Sequence, residues 1–163
     1  MDVKARRLAL AVVPNSTAEA QPAVSFCSHC GERPEVARPN SRVCENCGLG
    51  LLLQSRTEVA PQPGDPFLVL DATLAVCAVS AAAERLLHTE ETEAVNRHVT
   101  ELLVPADAEA QSSSNLAVAI TWAARGDGQT HRAVVRPANT FGVRLSVRIT
   151  SCGPPTAALL VFD

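Results

Sequence analysis

Tyrosine is absent, lysine occurs once (Lys4), and aromatic residues make up 3% of the 163 residues. A core must therefore be built from Val, Leu, Ile and Ala, and there is no run of aromatics on which nucleic-acid bases would stack. With a single Lys, positive charge is carried by Arg, whose planar fork suits directed carboxylate or phosphate contacts more than a diffuse cloud of charge. No apolar run approaches the roughly 20 residues needed to span a bilayer, so no membrane association is expected. Charge is also sparse: 19% charged residues and a net charge of −3 exclude an acidic disordered chain and a polyanion-coating protein. What is present is 47% hydrophobic residues, enough for a packed core.

The N-terminus carries Lys4, Arg6 and Arg7 before the apolar run Leu8 to Val13. That run is six residues, shorter than the roughly 7–15 of a secretory signal core, and Pro14 ends it. Residues 1–23 are therefore read as a flexible tail and the chain is expected in the cytoplasm. Residues 57–64, Thr57 to Gly64, contain Pro61, Pro63 and Gly64 and read as an extended linker. The organisation that follows is a tail (1–23), a cysteine-rich module (24–56), a linker (57–64) and a larger domain (65–163).

Four of the six cysteines fall in the small module as Cys27-Ser28-His29-Cys30-Gly31 and Cys44-Glu45-Asn46-Cys47-Gly48, thirteen residues apart. Two Cys separated by two residues turn both sulfurs toward one ion, and two such turns complete a tetrahedral shell of four sulfurs. Gly after each pair accepts the positive φ that the chain reversal needs. A 33-residue segment with few large apolar residues has little core of its own, so one structural Zn²⁺ held by Cys27, Cys30, Cys44 and Cys47 is expected to stabilise it. Iron in the same shell and two disulfides are the chemical rivals; the segment lacks the aromatics of iron-binding relatives, and disulfides suit an exported chain. His29 reads as a solvent-facing spacer. Residues 26 to about 53 resemble a zinc ribbon. Arg33, Arg38, Arg42 and Arg56 oppose Glu32, Glu35 and Glu45, which is too balanced for a basic nucleic-acid stripe once the thiolates are counted. Nucleic acid remains a possible but unfavoured partner.

In residues 65–163, strands are expected over Asp65–Leu70 and Leu74–Val79. Ser80 caps a helix over Ala81–Leu87, and Thr89 caps another. A helical turn follows at Val99–Leu103, then a long helix over about Asp107–Arg125 with Leu116, Ala119, Ile120 and Ala123 on one stripe. Strands follow over Gln129–Arg136, Phe141–Thr150 and Ala157–Phe162. In the middle one, Phe141, Val143, Leu145, Val147 and Ile149 alternate with Gly142, Arg144, Ser146, Arg148 and Thr150. Cys77 and Cys152 read as small core residues, and Trp122 as packing the helix on the sheet.

The stretch from Pro66-Phe67-Leu68-Val69-Leu70-Asp71 through Val79-Ser80-Ala81-Ala82-Ala83-Glu84-Arg85-Leu86-Leu87, with Asn96 at a left-handed position, resembles a PAS domain over about residues 65–163. The resemblance implies an α+β fold: a five-stranded antiparallel sheet with helices over one face. It implies a sensory or regulatory function through a small ligand or a protein partner. Val99 stands where flavin photosensors carry a Cys, and the long helix lacks the His of haem-binding forms, so neither covalent flavin nor haem is expected. His88, His98 and His131 read as surface or capping residues.

No paired carboxylates, Ser/His/Asp order or phosphate-binding Gly loop is present, so the chain is not expected to be an enzyme. The expected function is a non-enzymatic sensory adaptor whose zinc ribbon mediates macromolecular contact. The alternatives are a transcription-related regulator touching nucleic acid and a redox sensor that loses zinc on oxidation. A protein partner or a homodimer is expected, with Arg144 and Arg148 as candidate interface residues. Output is expected through the ribbon or a partner chain.

Overall fold

The computed structural model describes residues 22–34, 41–106 and 110–163, and of 110–114 only the backbone. The expectations for residues 1–21, for Arg38 and its neighbours, and for Asp107 lie outside the described residues.

A two-stranded antiparallel ribbon comes first. β1 (Ala23–Cys27) pairs with β2 (Leu52–Arg56), with Phe26 opposite Leu53. The second sheet is built from β3 (Phe67–Leu70), β4 (Val76–Val79), β5 (Leu103–Pro105), β6 (His131–Pro137), β7 (Leu145–Cys152) and β8 (Ala157–Phe162), in the order β4-β3-β8-β7-β6-β5 with antiparallel neighbours. The five expected strands are all there. A three-residue strand, β5, extends the edge where the turn before Pro105 was expected to end.

Between the strand groups lie α1 (Ala81–Leu87), α2 (Glu91–Ala94) and α3 (Ala110–Ala124). Ser80 caps α1: its Oγ accepts the Ala83 N–H at 3.2 Å and the Phe67 N–H at 2.9 Å, joining helix and first strand. Thr89 caps nothing; Glu90 precedes α2 without a side-chain bond. His88 closes α1 in the left-handed region (φ 51°), His98 caps the turn Val99–Glu101, and Asn96 is left-handed at φ 68°.

One face of the sheet packs under the helices. Leu68, Leu70, Val79, Val147, Ile149 and Leu160 meet Leu116, Ile120 and Ala123 there. The other face is also covered, by the ribbon. Phe67, Val69, Leu159 and Val161 bury against Phe26 and Leu53. Phe26 and Phe67 meet edge to face, centroids 5.7 Å apart. The contact is sealed by polar bonds: Ser55 Oγ donates to the Ser151 carbonyl at 3.0 Å, and the Gly153 N–H donates to the Gln54 carbonyl at 3.0 Å.

Several sequence expectations are corrected. Residues 57–64 do not form an extended spacer; they turn, and Val59, Ala60 and Pro61 are buried. The Arg33 guanidinium donates to the carbonyls of Ala60 and Pro61 at 3.0 Å each, which pins the segment to the cysteine module. The strand expected from Phe141 begins at Leu145. Gly142 takes φ 78°, which breaks the alternation, and Phe141 is 85% exposed. Trp122 is 53% exposed; its ring meets His131, the first residue of β6 (centroids 6.0 Å), and stays outside the buried core under the helices. Cys77 is exposed, whereas Cys152 is buried as expected.

Candidate metal centre

The four cysteines converge at one end of the ribbon. Cys27 ends β1, and Cys30 follows it through a turn closed by the Gly31 N–H to the Cys27 carbonyl at 3.0 Å. Cys44 and Cys47 repeat the arrangement, with the Gly48 N–H to the Cys44 carbonyl at 2.9 Å. Gly31 and Gly48 take φ of 74° and 68°, the left-handed geometry that the reversal requires.

The four sulfurs lie within 4.8 Å of one another. Two separations bear on size: Cys27 to Cys47 is 3.6 Å and Cys30 to Cys44 is 3.8 Å. Zn–S bonds of about 2.3 Å in a tetrahedron give S···S edges of about 3.8 Å, so the donor set and its spacing fit a single tetrahedral ion. The shell is also polarised for thiolates. The His29 and Cys30 N–H groups point at Cys27 Sγ (3.4 and 3.5 Å), and the Gly50 N–H points at Cys47 Sγ (3.5 Å).

Burial, helped by the neighbouring Cys47, pushes the Cys27 thiol up, and burial also raises Cys30. At Cys47 burial acts the same way, but the Gly50 and Leu49 N–H groups and the thiols of Cys27 and Cys30 outweigh it and bring it down to about 6. The site therefore releases protons when an ion binds, because the ligands must be thiolates.

Gly50 is a site residue that sequence reasoning missed. A Cβ there would collide with Cys27 Sγ and sit 2.7 Å from the His29 nitrogen, so only glycine lets β2 approach the cluster. The signal was the second glycine of Gly48-Leu49-Gly50. His29 is not a solvent-facing spacer: its Nδ1 is buried, without a hydrogen bond, 3.8 Å from a Glu91 oxygen. The His29 carbonyl accepts the Ala81 N–H at 2.8 Å, so the first cysteine turn also touches the start of α1.

Neither a family model nor a curated relative matches the chain. Solved structures do. The PAS domain of nitrogen regulation protein NR(II) from Vibrio parahaemolyticus is similar at 18% identity and TM-score 0.46, over 61% of this chain and 88% of that one. The PAS domain of an HTR-like protein from Haloarcula marismortui is similar at 15% identity and TM-score 0.45, over 61% and 79%. A domain of a sensory box sensor histidine kinase/response regulator from Geobacter sulfurreducens is similar at 12% identity and TM-score 0.45, over 61% and 82%. The decisive features are in the chain itself: two strands, then helices with the short β5 among them, then three strands, joined in one antiparallel sheet whose main core takes residues from all three helices. The fold is PAS-like.

Of the remaining candidates on the PAS-like sheet, Arg148 Nε donates to Asp163 Oδ1 at 2.6 Å, and Arg132 lies 3.8 Å from the other oxygen. Arg144 stands just before β7, off the strand. Arg148 is thus engaged by a carboxylate of its own chain. His131 pairs with Asp127 at 2.7 Å.

Proposed function

We propose that this chain is a non-enzymatic sensory or regulatory adaptor in which a zinc ribbon and a PAS-like domain act as one unit. The observation that carries the reading is the shared cluster of Phe26, Leu53, Phe67, Val69, Leu159 and Val161. Through it a change in either module is felt by the other, which is what a two-part regulatory protein needs.

The metal is Zn²⁺, one per chain and structural: four sulfur donors close the shell and leave no position for substrate. The PAS-like part receives a small ligand or a protein partner, and the ribbon contributes macromolecular contact. Protein contact is favoured over nucleic acid. Arg33 is spent on the Ala60 and Pro61 carbonyls, and Arg56 pairs with Glu58 at 2.9 Å, so these two ribbon arginines serve the fold.

Native mass spectrometry of protein purified without chelator tests the reading. One zinc per chain is expected, with oligomeric state and any retained ligand read from the same spectrum. Absence of stoichiometric zinc would overturn the metal assignment. Affinity for DNA or RNA falling steeply with salt would replace the protein-contact reading.

A further inference from the structure

The ribbon does not cover the whole outer face of the sheet. At the end where β3 runs into Asp71, a groove of about 270 Å³ lies between the two modules. Its ribbon wall includes Leu49 and Leu51, and its floor includes Val69, Cys77 and Ala78. Leu49 is 73% exposed and Leu51 53%, so the groove carries an apolar rim open to solvent.

Two carboxylate residues, Asp71 and Glu91, line this apolar space, and no Lys, Arg or His does. Their hydrogen-bond donors are backbone N–H groups and a hydroxyl, with the His29 ring 3.8 Å from Glu91. Asp71 Oδ1 accepts the N–H groups of Thr73 and Ala75 and the Thr73 hydroxyl. Glu91 Oε1 accepts the Val79 N–H at 3.0 Å. Partial burial works to raise the Asp71 carboxyl, but these donors outweigh it and hold it below its usual range, so it is ionised at neutral pH. Its charge is felt inside the groove: after burial, it is the next cause that raises the Cys77 thiol.

We propose that the groove between the ribbon and the outer face of the sheet binds a small apolar organic cation, its hydrocarbon part against Leu49, Leu51 and Val69 and its ammonium group at Asp71 and Glu91. The chemistry follows from the lining: apolar walls favour a hydrocarbon body, and the ionised Asp71, bonded only to backbone and hydroxyl donors, with Glu91 beside it on the groove, favours a positive head. Volume limits the ligand to a compact molecule. The site lies on the ribbon side of the sheet, with Glu91 at the start of α2 closing one end.

Cys77 is the reporter. It is exposed, Cys152 is buried, and the other four cysteines form the metal cluster. Iodoacetamide alkylation of zinc-loaded full-length protein should therefore be selective for Cys77. Phenethylammonium is the probe, with phenethyl alcohol and phenylacetate as neutral and anionic controls.

The ammonium probe is expected to slow Cys77 alkylation in a saturable way and to shift the methyl resonances of Leu49 and Leu51. Asp71→Asn and Glu91→Gln should each weaken this protection by about threefold to fivefold, the scale of losing one solvent-accessible charge pair. Because Asp71→Asn also eases Cys77 ionisation, each variant is compared with its own rate without ligand. Equal protection by the alcohol or the phenylacetate would overturn the cation assignment. No protection at all, or methyl shifts confined to the face under the helices, would overturn the site. Zinc content is measured on every sample, so loss of binding with zinc retained counts against the groove and not against the metal ribbon.

Discussion

The two faces of the central sheet are buried by different means. Under the helices, α3 lays Leu116, Ile120 and Ala123 onto β7 and β8 by hydrophobic area, while Ser80 before α1 and Glu91 of α2 add polar bonds to β3 and β4. On the opposite face the covering element is a two-stranded ribbon of five-residue strands, which by itself is marginal in water. It contributes Phe26 and Leu53 to the contact, and its far end is closed by the four-cysteine turn. One face is thus held by helices that fold with the sheet, the other by a ribbon whose far end carries the four-cysteine cluster. The outer face should be the weaker of the two, and its cover conditional on metal.

Removing the ion is the strongest test. Cys44→Ser deletes one of four sulfur ligands, and zinc is expected to fall below stoichiometric. Phe67, Val69, Leu159 and Val161 would then lose their cover. The sheet should be destabilised by more than about 5 kcal/mol, at about 1.5–3 kcal/mol per large apolar side chain exposed. Trp122 is the one Trp of the chain and sits on α3, on the helix side. Its fluorescence therefore reports the helix-covered core and not the ribbon. A urea transition followed at Trp122 that does not move in the zinc-free variant would show two independent modules.

Phe26→Ala separates metal from packing. Phe26 is fully buried between ribbon and sheet, so truncation should cost about 3–5 kcal/mol while the ligands stay in place. Zinc should remain stoichiometric and the Trp122 transition should shift to lower urea. Zinc loss in step with destabilisation would mean that the cluster depends on the docking and not the reverse.

Ser80→Ala acts on the seam from the other side. Ser80 Oγ serves the Ala83 N–H of α1 and the Phe67 N–H of β3, and Phe67 faces the ribbon. Loss of the cap, with a buried N–H left unpaired, should cost about 1–2 kcal/mol. Ser80→Thr, which retains a hydroxyl, should recover part of that loss; no recovery in denaturation midpoints would assign the effect to packing at Ser80.

The convergence of the four cysteines was legible because its geometry is local: two cysteines and a glycine in one turn carry their own reason. The ordered strands and helices were legible from periodicity, and β8 from its apolar run. The docking was not, although a sign of it was present. Phe67-Leu68-Val69-Leu70 and Ala157 to Phe162 contain no polar residue, and such runs mark strands covered on both faces. An exposed outer face would have shown alternation there, as β6 does with its exposed Arg132 and Val134. The prolines at 61 and 63 correctly excluded regular structure in the connection, but proline says nothing about burial. The tether from Arg33 to Ala60 and Pro61 spans 28 residues in sequence, beyond any local pattern. Trp122 was misplaced because helix spacing gives the stripe but not how far the sheet extends beneath it.

The smallest effect tests whether the junction at Asp71 has a charge of its own. Asp71 directly follows β3, lies at the groove beside the ribbon, and accepts bonds from the turn that leads to β4. Its carboxyl is held below the ordinary value, partial burial being outweighed by Thr73 and Ala75. A carboxyl lowered in the folded state stabilises it above the unfolded value and loses that contribution as pH falls through the folded one. Asp71→Asn should therefore be less stable than the parent by about 0.5 kcal/mol at pH 7, the residue being partly solvent-screened. In acid below the usual carboxylate range the two should converge, since the parent is then uncharged as well. Both proteins lose zinc in acid through thiolate protonation, so each pH is compared within itself, by urea titration at Trp122. A difference that persists undiminished in acid would mean that Asp71 acts through the shape of the turn and not through its charge.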